Sequence, residues 1–141
     1  MNAPRAPCRK PRVSVMASIR SRDTRPELAT RSALHRLGYR FRVNVRALPG
    51  TPDIANQRKH VAIFVHGCLW HLHKGCALAR PPKRNTGYWG PKLRRNVERD
   101  VANRAKLTAL GYRVLVIWEC ETTNPEALKH KLVSFLAHPS P

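Results

Sequence analysis

Two largely apolar runs constrain the fold of this chain more than any other feature: HVAIFV at 60–65 and YRVLVIW at 112–118. A half-exposed strand alternates apolar and polar residues, whereas a strand covered on both faces is apolar almost throughout. Both runs are therefore expected to be buried strands. A third segment, YRFRVNV at 39–45, alternates with a period of two residues and predicts a half-buried strand.

Helices are predicted between and around these strands. The first begins near Thr24, which forms a capping-box pattern with Glu27. A long helix is expected at 91–110, opened by Pro91, and a final helix at 124–137. Helices and strands in this order predict an α/β domain, in which a mixed sheet is flanked by helices.

The chain carries a large excess of positive charge. Its 27 Lys and Arg residues face only 8 Asp and Glu residues, which gives a formal net charge of +19. A charge of this size repels itself unless a polyanion or counterions offset it, and the phosphates of nucleic acid do so directly. We expect nucleic acid rather than a membrane as the partner, because no segment combines a wide apolar face with a purely basic one.

The length of 141 residues fits a single domain. Residues 1–15 are rich in Pro and Arg and predict a flexible basic arm, which leaves 16–141 as the folded domain. The sequence contains neither an apolar run of transmembrane length nor the apolar core of a signal peptide. We therefore expect a soluble, cytoplasmic and nucleoid-associated protein that acts as a monomer.

The segment FVHGCLWHLHKGC at 64–76 contains a metal-binding pattern. Cys68, His73 and Cys76 have the spacing C-x4-H-x2-C, which allows three ligands to reach one tetrahedral zinc ion. Cys120, just past the second apolar run, is the candidate for the fourth ligand. The alternative is that these cysteines are small buried apolar residues. Cys8 lies in the basic arm and is expected to take no part.

Two histidines and three acids remain as candidates for chemistry. His66 follows a buried strand, where loop-borne active sites of α/β proteins gather, and His71 lies inside the metal loop. Either could instead bond only to nearby backbone. Asp53 follows the stiff turn LPGTP and is the acid best placed to bind Mg2+, although an Asp in a turn is common. Asp100 could orient a histidine or form a surface ion pair. Glu27 could contribute to the active site in addition to capping the first helix.

Several of these segments, taken together, resemble the very-short-patch-repair (Vsr) DNA mismatch endonucleases. IRSRDTRPE, LPGTPD, FVHGCLWHLHKGC, NVERD and VLVIWEC occur in the same order and spacing, from about Met16 to Cys120. The resemblance implies a restriction-endonuclease-like fold with a structural zinc ion. It further implies a Mg2+-dependent enzyme that nicks double-stranded DNA on the 5′ side of the thymine in T:G mismatches, which arise when 5-methylcytosine deaminates.

The resemblance also assigns roles to single residues. Asp53 and the main-chain carbonyl of Val65 would bind Mg2+, and His66 and His71 would be catalytic. Asp100 would polarise His71, and Glu27 would assist at the cut. Zinc would be bound by the set that the spacing indicated: Cys68, His73, Cys76 and Cys120. The wider nuclease fold usually carries an acid-x-Lys pattern on the strand after its Pro-Asp, but AIFVHG has neither residue. Histidine would then substitute for the absent carboxylate.

Family members insert apolar side chains into the duplex beside the mismatch, a step that is least costly at a mispair. Trp70 and Trp89 match these positions, and Leu69 stands where an aromatic residue is common in the family. Met16 and Ile19 match the segment that reaches the minor groove. Mismatch-repair proteins are candidates for further partners.

Two other functions are compatible with parts of the pattern. A non-catalytic, zinc-stabilised nucleic-acid-binding protein would explain the charge and the cysteines, but it would not require Asp53, His66 and His71 together. A nuclease whose only metal is held by the histidines would have no separate zinc site.

Overall fold

The structure is a computed structural model, and it describes residues 23–79 and 86–137. The predicted basic arm at 1–15, together with Met16 and Ile19, lies outside these ranges. Within them, no helix has both the length and the apolar character needed to cross a membrane.

A four-stranded mixed sheet forms the centre of the protein. Its strands are β1 (Arg42–Val43), β2 (Ile54–Asn56), β3 (Val61–His66) and β4 (Arg113–Trp118), and they lie in that order across the sheet. The first two pairings are antiparallel, whereas β3 and β4 run parallel. The parallel pair requires a long connection, which contains the metal-type loop and a helix.

Three helices cover the two faces of the sheet: α1 (Arg25–Arg36), α2 (Thr86–Ala109) and α3 (Pro125–Ala137). Alternate residues of β3 point to opposite faces. Val61, Ile63 and Val65 pack in one buried cluster with Leu34 of α1 and with Leu128 and Leu132 of α3. Ala62 and Phe64 belong to a second buried cluster, with Leu107 of α2. The sheet is therefore sandwiched between α1 and α3 on one face and α2 on the other, which confirms the predicted mixed α/β class.

The predicted helix caps are present. The Thr24 hydroxyl accepts from the N–H of Glu27 at 3.4 Å, and the Glu27 carboxylate accepts from the N–H of Thr24 at 3.3 Å. At α3, the side-chain oxygen of Asn124 accepts from the N–H groups of Glu126 and Ala127. These bonds satisfy amides that the helices cannot pair internally.

Two predicted elements differ in extent from the structure, and one observed strand was not predicted. The half-buried strand expected at 39–45 is reduced to Arg42–Val43, and β2 was not predicted. Both strands lie towards one edge of the sheet, where few residues pair and the sequence pattern is too short to read. The long helix begins at Thr86, so Pro91 lies inside it. Because proline has no N–H, its place in the second turn costs one hydrogen bond of the helix and does not end it.

Candidate active site and metal centre

The two parallel strands bring distant segments of the chain to one edge of the sheet. The last pair in their register is His66 with Trp118. The metal-type loop follows β3, and a short 3-10 helix, Glu119–Thr123, follows β4. Cys120 is thus carried to the loop that contains the other candidate zinc ligands, although 44 positions separate it from Cys76 in the sequence.

The four candidate zinc ligands converge. Each of Cys68, His73, Cys76 and Cys120 offers a ligand atom, and these atoms lie within 4.8 Å of one another. Nδ1 of His73 is 3.7 Å from the Cys68 sulfur and 3.5 Å from the Cys120 sulfur. Tetrahedral zinc with bonds of about 2.3 Å to sulfur and about 2.1 Å to nitrogen would separate such atoms by about 3.6 Å. The spacing and the donor types therefore fit zinc, with Nδ1 as the imidazole ligand.

Backbone contacts hold the loop in this shape. The N–H of His73 donates to the carbonyl of Cys68 at 2.9 Å, and the N–H of Cys120 donates to the Cys68 sulfur at 3.4 Å. The N–H of Cys68 donates to the carboxylate of Glu119 at 3.3 Å. Thus Glu119 and Cys120 fasten the loop to the end of β4.

The thiols of this cluster depend on a cation for their charge. Burial raises the pKa of Cys68 to about 12 and is the largest cause that raises the pKa of Cys120. A backbone N–H of Leu78 lowers the pKa of Cys76. Zinc binds thiolates, so its binding must release protons from Cys68 and Cys120.

A second cluster lies beside the first. The imidazole rings of His66 and His71 are stacked, with centroids 3.8 Å apart and an interplanar angle of 6°. Nδ1 of His71 is 2.5 Å from a carboxylate oxygen of Asp100 on α2, whereas Nε2 of His66 is 4.0 Å from the other oxygen. An ionised carboxylate only accepts hydrogen bonds, so Nδ1 of His71 carries the proton and Nε2 is the basic nitrogen.

This geometry favours proton transfer over metal binding by the two histidines. The lone pairs of stacked rings lie in separate, nearly parallel planes and do not converge on one point. The pKa of His66 is lowered to about 4, with burial as the largest cause and the adjacent His71 as the next. His66 is therefore neutral near pH 7 and can accept a proton.

Asp53 forms a third group with Val65 and Glu27. Its carboxylate accepts a hydrogen bond from the N–H of Val65 at 2.7 Å. The pKa of Asp53 is raised to about 7: burial is the largest cause, the Val65 bond opposes the rise, and the nearby Glu27 carboxyl contributes to it. Two carboxyl groups crowded together with little access to water favour a bound cation, and their oxygen atoms suit Mg2+.

The turn that precedes Asp53 is fixed at both ends. The N–H groups of Asn44 and Val45 donate to the carbonyls of Asp53 and Pro52, each at 3.1 Å, which continues the pairing of β1 with β2. Gly50 has a φ of +76°, and a Cβ atom built on it would lie 2.9 Å from Cβ of Asn103 on α2. Only glycine fits this close approach without displacing the turn.

Glu27 is 4% exposed at the start of α1. Its carboxylate closes the capping box and also lies 3.6 Å from a guanidinium nitrogen of Arg31. The other terminal nitrogen of Arg31 binds Asp23 at 2.7 Å. The capping box thus holds the buried carboxylate of Glu27 next to Asp53. Glu27 therefore both caps α1 and forms the acidic group with Asp53.

The candidate DNA-inserting residues are described only in part. Leu69 and Trp70 are partly exposed in the loop, between the candidate zinc ligands Cys68 and His73. The carbonyl of Trp70 accepts from the side-chain amide of Asn96 at 3.1 Å, and the ammonium group of Lys92 lies 5.5 Å from its ring centroid. Trp89 lies in α2, in a part of the helix where only the backbone is described.

Sequence reasoning missed two residues that shape these clusters, Trp118 and Asn96, whereas the place of Glu119 beside Cys120 indicated that it could shape the loop. Trp118 stacks on His73, and Glu119 and Asn96 hold the backbone of the loop. The position of Trp118 at the end of an apolar run was a usable signal, because the end of a parallel strand adjoins the end of its neighbour. The contacts of Glu119 and Asn96 depend on the loop conformation, which no sequence pattern indicated.

Comparison with known proteins places these clusters in a family. The sequence profile described as DNA mismatch endonuclease Vsr matches residues 8–78. The chain is 47% identical over 122 residues to the Type II nicking enzyme V.XorIIP of Xanthomonas oryzae, an alignment that spans 86% of this chain and 89% of the relative. It is 40% identical over 126 residues to the DNA mismatch endonuclease Vsr of Escherichia coli, spanning 86% and 80%. A further relative, the Type II nicking enzyme V.NmeAIP of Neisseria meningitidis, is 38% identical over 118 residues, spanning 84% of each chain. The chain therefore belongs to the Vsr family of DNA mismatch endonucleases and is a DNA endonuclease.

Proposed function

We propose that the protein nicks double-stranded DNA on the 5′ side of the thymine in a T:G mismatch, in a Mg2+-dependent hydrolysis. The observation that carries this proposal is the presence of two side-chain clusters. Asp53 lies beside Glu27 in one, and His66, His71 and Asp100 form the other. A relative described as a mismatch endonuclease supports the choice of a mismatch as substrate, and relatives described as nicking enzymes support the cutting of one strand. Endonuclease relatives also favour catalysis over the non-catalytic binding alternative.

Asp53 and the backbone carbonyl of Val65 are the proposed Mg2+ ligands, with Glu27 as the neighbouring acid. When bound, Mg2+ would neutralise negative charge that develops on the phosphate oxygens. The oxygen donors and the raised pKa of Asp53 fit this ion, because a cation relieves the cost of an ionised carboxylate that is shielded from water.

His66 and His71 are the proposed proton-transfer residues. His66 is neutral near pH 7, so it can accept a proton from an attacking water molecule without first losing one, although its lowered pKa makes it a weak base. Asp100 keeps the proton of His71 on Nδ1 and thereby leaves Nε2 to exchange a proton with the reacting phosphodiester. Histidine then supplies the function that a site with few carboxylates lacks.

Zinc is the proposed structural ion at Cys68, His73, Cys76 and Cys120. Its function would be to hold the loop that carries His71 and Trp70 against the ends of β3 and β4. The match between the observed distances and a tetrahedron of thiolate and imidazole ligands supports this assignment.

Leu69, Trp70 and Trp89 are the proposed residues that insert into the duplex beside the mismatch, and Met16 and Ile19 are proposed to contact the minor groove. The partial exposure of Leu69 and Trp70, next to the proposed catalytic cluster, supports this role for the loop. We also propose the restriction-endonuclease-like fold for the domain.

The proposal is tested with two duplexes that differ only in one base pair, T:G or T:A. Each is incubated with wild type and with Asp53→Asn, with and without Mg2+, and nicks are mapped on both strands. We expect wild type to nick only the T:G duplex, 5′ of the thymine and only with Mg2+, while Asp53→Asn nicks neither. Equal nicking of the two duplexes would contradict the mismatch preference, and nicking without a divalent ion would contradict the role of Mg2+.

A further inference from the structure

One aromatic side chain lies between the two metal-type clusters. The indole ring of Trp118 is stacked on the imidazole of His73, with centroids 4.2 Å apart and an interplanar angle of 10°. The same ring meets the imidazole of His66 edge to face, at 5.4 Å and 72°. The edge-to-face distance lies in the range of attractive aromatic contacts, and the stacked pair is slightly closer than that range.

Strand register places the indole there. Trp118 is the last residue of β4 and pairs with His66, the last residue of β3, so their side chains are neighbours on the face covered by α2. The backbone N–H of Trp118 donates to the carboxylate of Glu121 at 3.1 Å. Lys131 of α3 binds that carboxylate at 2.7 and 2.8 Å. The indole is therefore carried by a backbone that is anchored to a second helix.

The ring contacts continue beyond His66. His66 also stacks on the ring of His71, whose Nδ1 is bound to Asp100, and it meets the ring of Phe64 at 5.6 Å and 49°. A cavity of about 370 Å³ adjoins these rings and is lined by His66, His71, His73 and Trp118 among others. Beside this cavity, the described ring contacts of His66 are the indole edge, the His71 face and the Phe64 ring, and the indole is the one that connects it to a candidate zinc ligand.

We propose that Trp118 is a positioning residue that couples the zinc centre to the catalytic histidines. Zinc fixes the ring of His73, His73 fixes the indole by stacking, and the indole holds His66 at the angle at which it meets His71. The inference rests on the proposed function, because it takes His66 as catalytic and His73 as a zinc ligand. It extends that function by giving the zinc centre an effect on the chemical step as well as on folding.

The inference predicts a specific kinetic pattern. Trp118→Leu removes both ring contacts, so His66 samples other orientations, and misplacement on the scale of an ångström lowers rates by roughly 10- to 100-fold. The loss should appear in kcat, with little change in KM, because Trp118 is not among the proposed DNA-contacting residues. Trp118→Phe retains a flat ring at the position and should recover most of the lost rate.

The matched control is Tyr112→Leu. Tyr112 precedes β4 and contacts His60 edge to face at 5.2 Å, so it repeats the aromatic–histidine pair at the opposite end of the same strands. Its loss should lower the melting temperature, as the loss of Trp118 does, while kcat stays at the wild-type value.

The experiment measures kcat and KM for T:G nicking, melting temperature, and the visible absorption and chelator-competed affinity of Co2+ bound in place of zinc. We expect Trp118→Leu to shift the Co2+ spectrum and to lower kcat, and Tyr112→Leu to do neither. Wild-type kcat in Trp118→Leu, a loss confined to KM, or an equal loss of kcat in Tyr112→Leu would overturn the inference. If wild type itself nicks no T:G duplex, the proposed function fails; an unchanged Co2+ spectrum in Trp118→Leu still overturns the coupling by itself.

Discussion

At the scale of single residues, Asp53 shows a conflict between stability and function. Its pKa is raised from 3.8 to about 7, chiefly by burial, so ionising it in the folded protein costs free energy that the unfolded chain does not spend. The folded state retains a proton between these two pH values that the unfolded state has released. Stability from this residue is thus complete below about pH 4 and is lost as the pH rises through 7.

Asp53→Asn should therefore stabilise the Mg2+-free protein at pH 8. The amide keeps the shape of the carboxyl group and can still accept the bond from Val65, but it carries no charge. We expect its melting temperature to exceed that of wild type by roughly 3–6 °C at pH 8, and the two to agree near pH 4. Adding Mg2+ should raise the melting temperature of wild type alone. Equal melting temperatures at pH 8 without Mg2+ would contradict the account.

Residue types and spacing were sufficient to predict the metal-type cluster. Cys68, His73 and Cys76 lie within nine positions, and Cys120 followed from its place after an apolar run. The stacking of His66 on His71 could not be predicted, because it depends on a loop conformation in which the N–H of His71 donates to the carbonyl of Gly67 at 3.2 Å and Leu72 has a φ of +48°. Leucine rarely adopts that conformation, and nothing in its side chain indicates it.

At the scale of elements, the turn between β1 and β2 sets the position of Asp53. The structure places Gly50 of this turn against Asn103 of α2, so the turn is braced by a helix that follows it by more than thirty-five positions in the sequence. The sequence showed that LPGTP is a turn but could not show which helix it touches.

Comparing Gly50→Ala with Gly38→Ala separates the effect of the contact with Asn103 from the free-energy cost of placing alanine at a positive φ. Gly38 has a φ of +71° with no atom near its potential Cβ, whereas Gly50 has the same kind of backbone and a 2.9 Å approach to Asn103. Gly38→Ala should cost about 1 kcal/mol of unfolding free energy and leave nicking unchanged. Gly50→Ala should cost more and also lower the nicking rate, because Asp53 moves with the turn. Denaturant unfolding and T:G nicking measure both effects, and wild-type nicking by Gly50→Ala would refute the bracing role.

The starts of two helices could be predicted from the residues immediately around them. The capping box at Thr24 and Glu27 and the Asn124 cap were read correctly, since their bonds span only a few residues. β2 was missed because three residues give no period to read, and its existence depends on pairing with β3.

At the scale of the whole molecule, the net charge of +19 is explained by DNA binding more than by the requirements of the fold. Each phosphate contact releases counterions, so affinity should fall steeply as salt increases. Binding of Asp53→Asn to T:G and T:A duplexes in Mg2+-free buffer measures this without cleavage. We expect both affinities to fall on the order of 10³-fold between about 50 and 200 mM salt, with their ratio nearly constant. A salt-independent affinity would show that phosphates contribute little.

The central claim is that the histidines of one short loop are divided between two tasks, His73 for zinc and His71 for phosphodiester hydrolysis. Two substitutions, His71→Ala and His73→Ala, change the same residue type two positions apart. Zinc content and T:G nicking are measured on both purified variants and on wild type. The account predicts that His71→Ala retains wild-type zinc and loses nicking, whereas His73→Ala loses zinc. Loss of zinc from His71→Ala, or wild-type nicking by it, would contradict the claim.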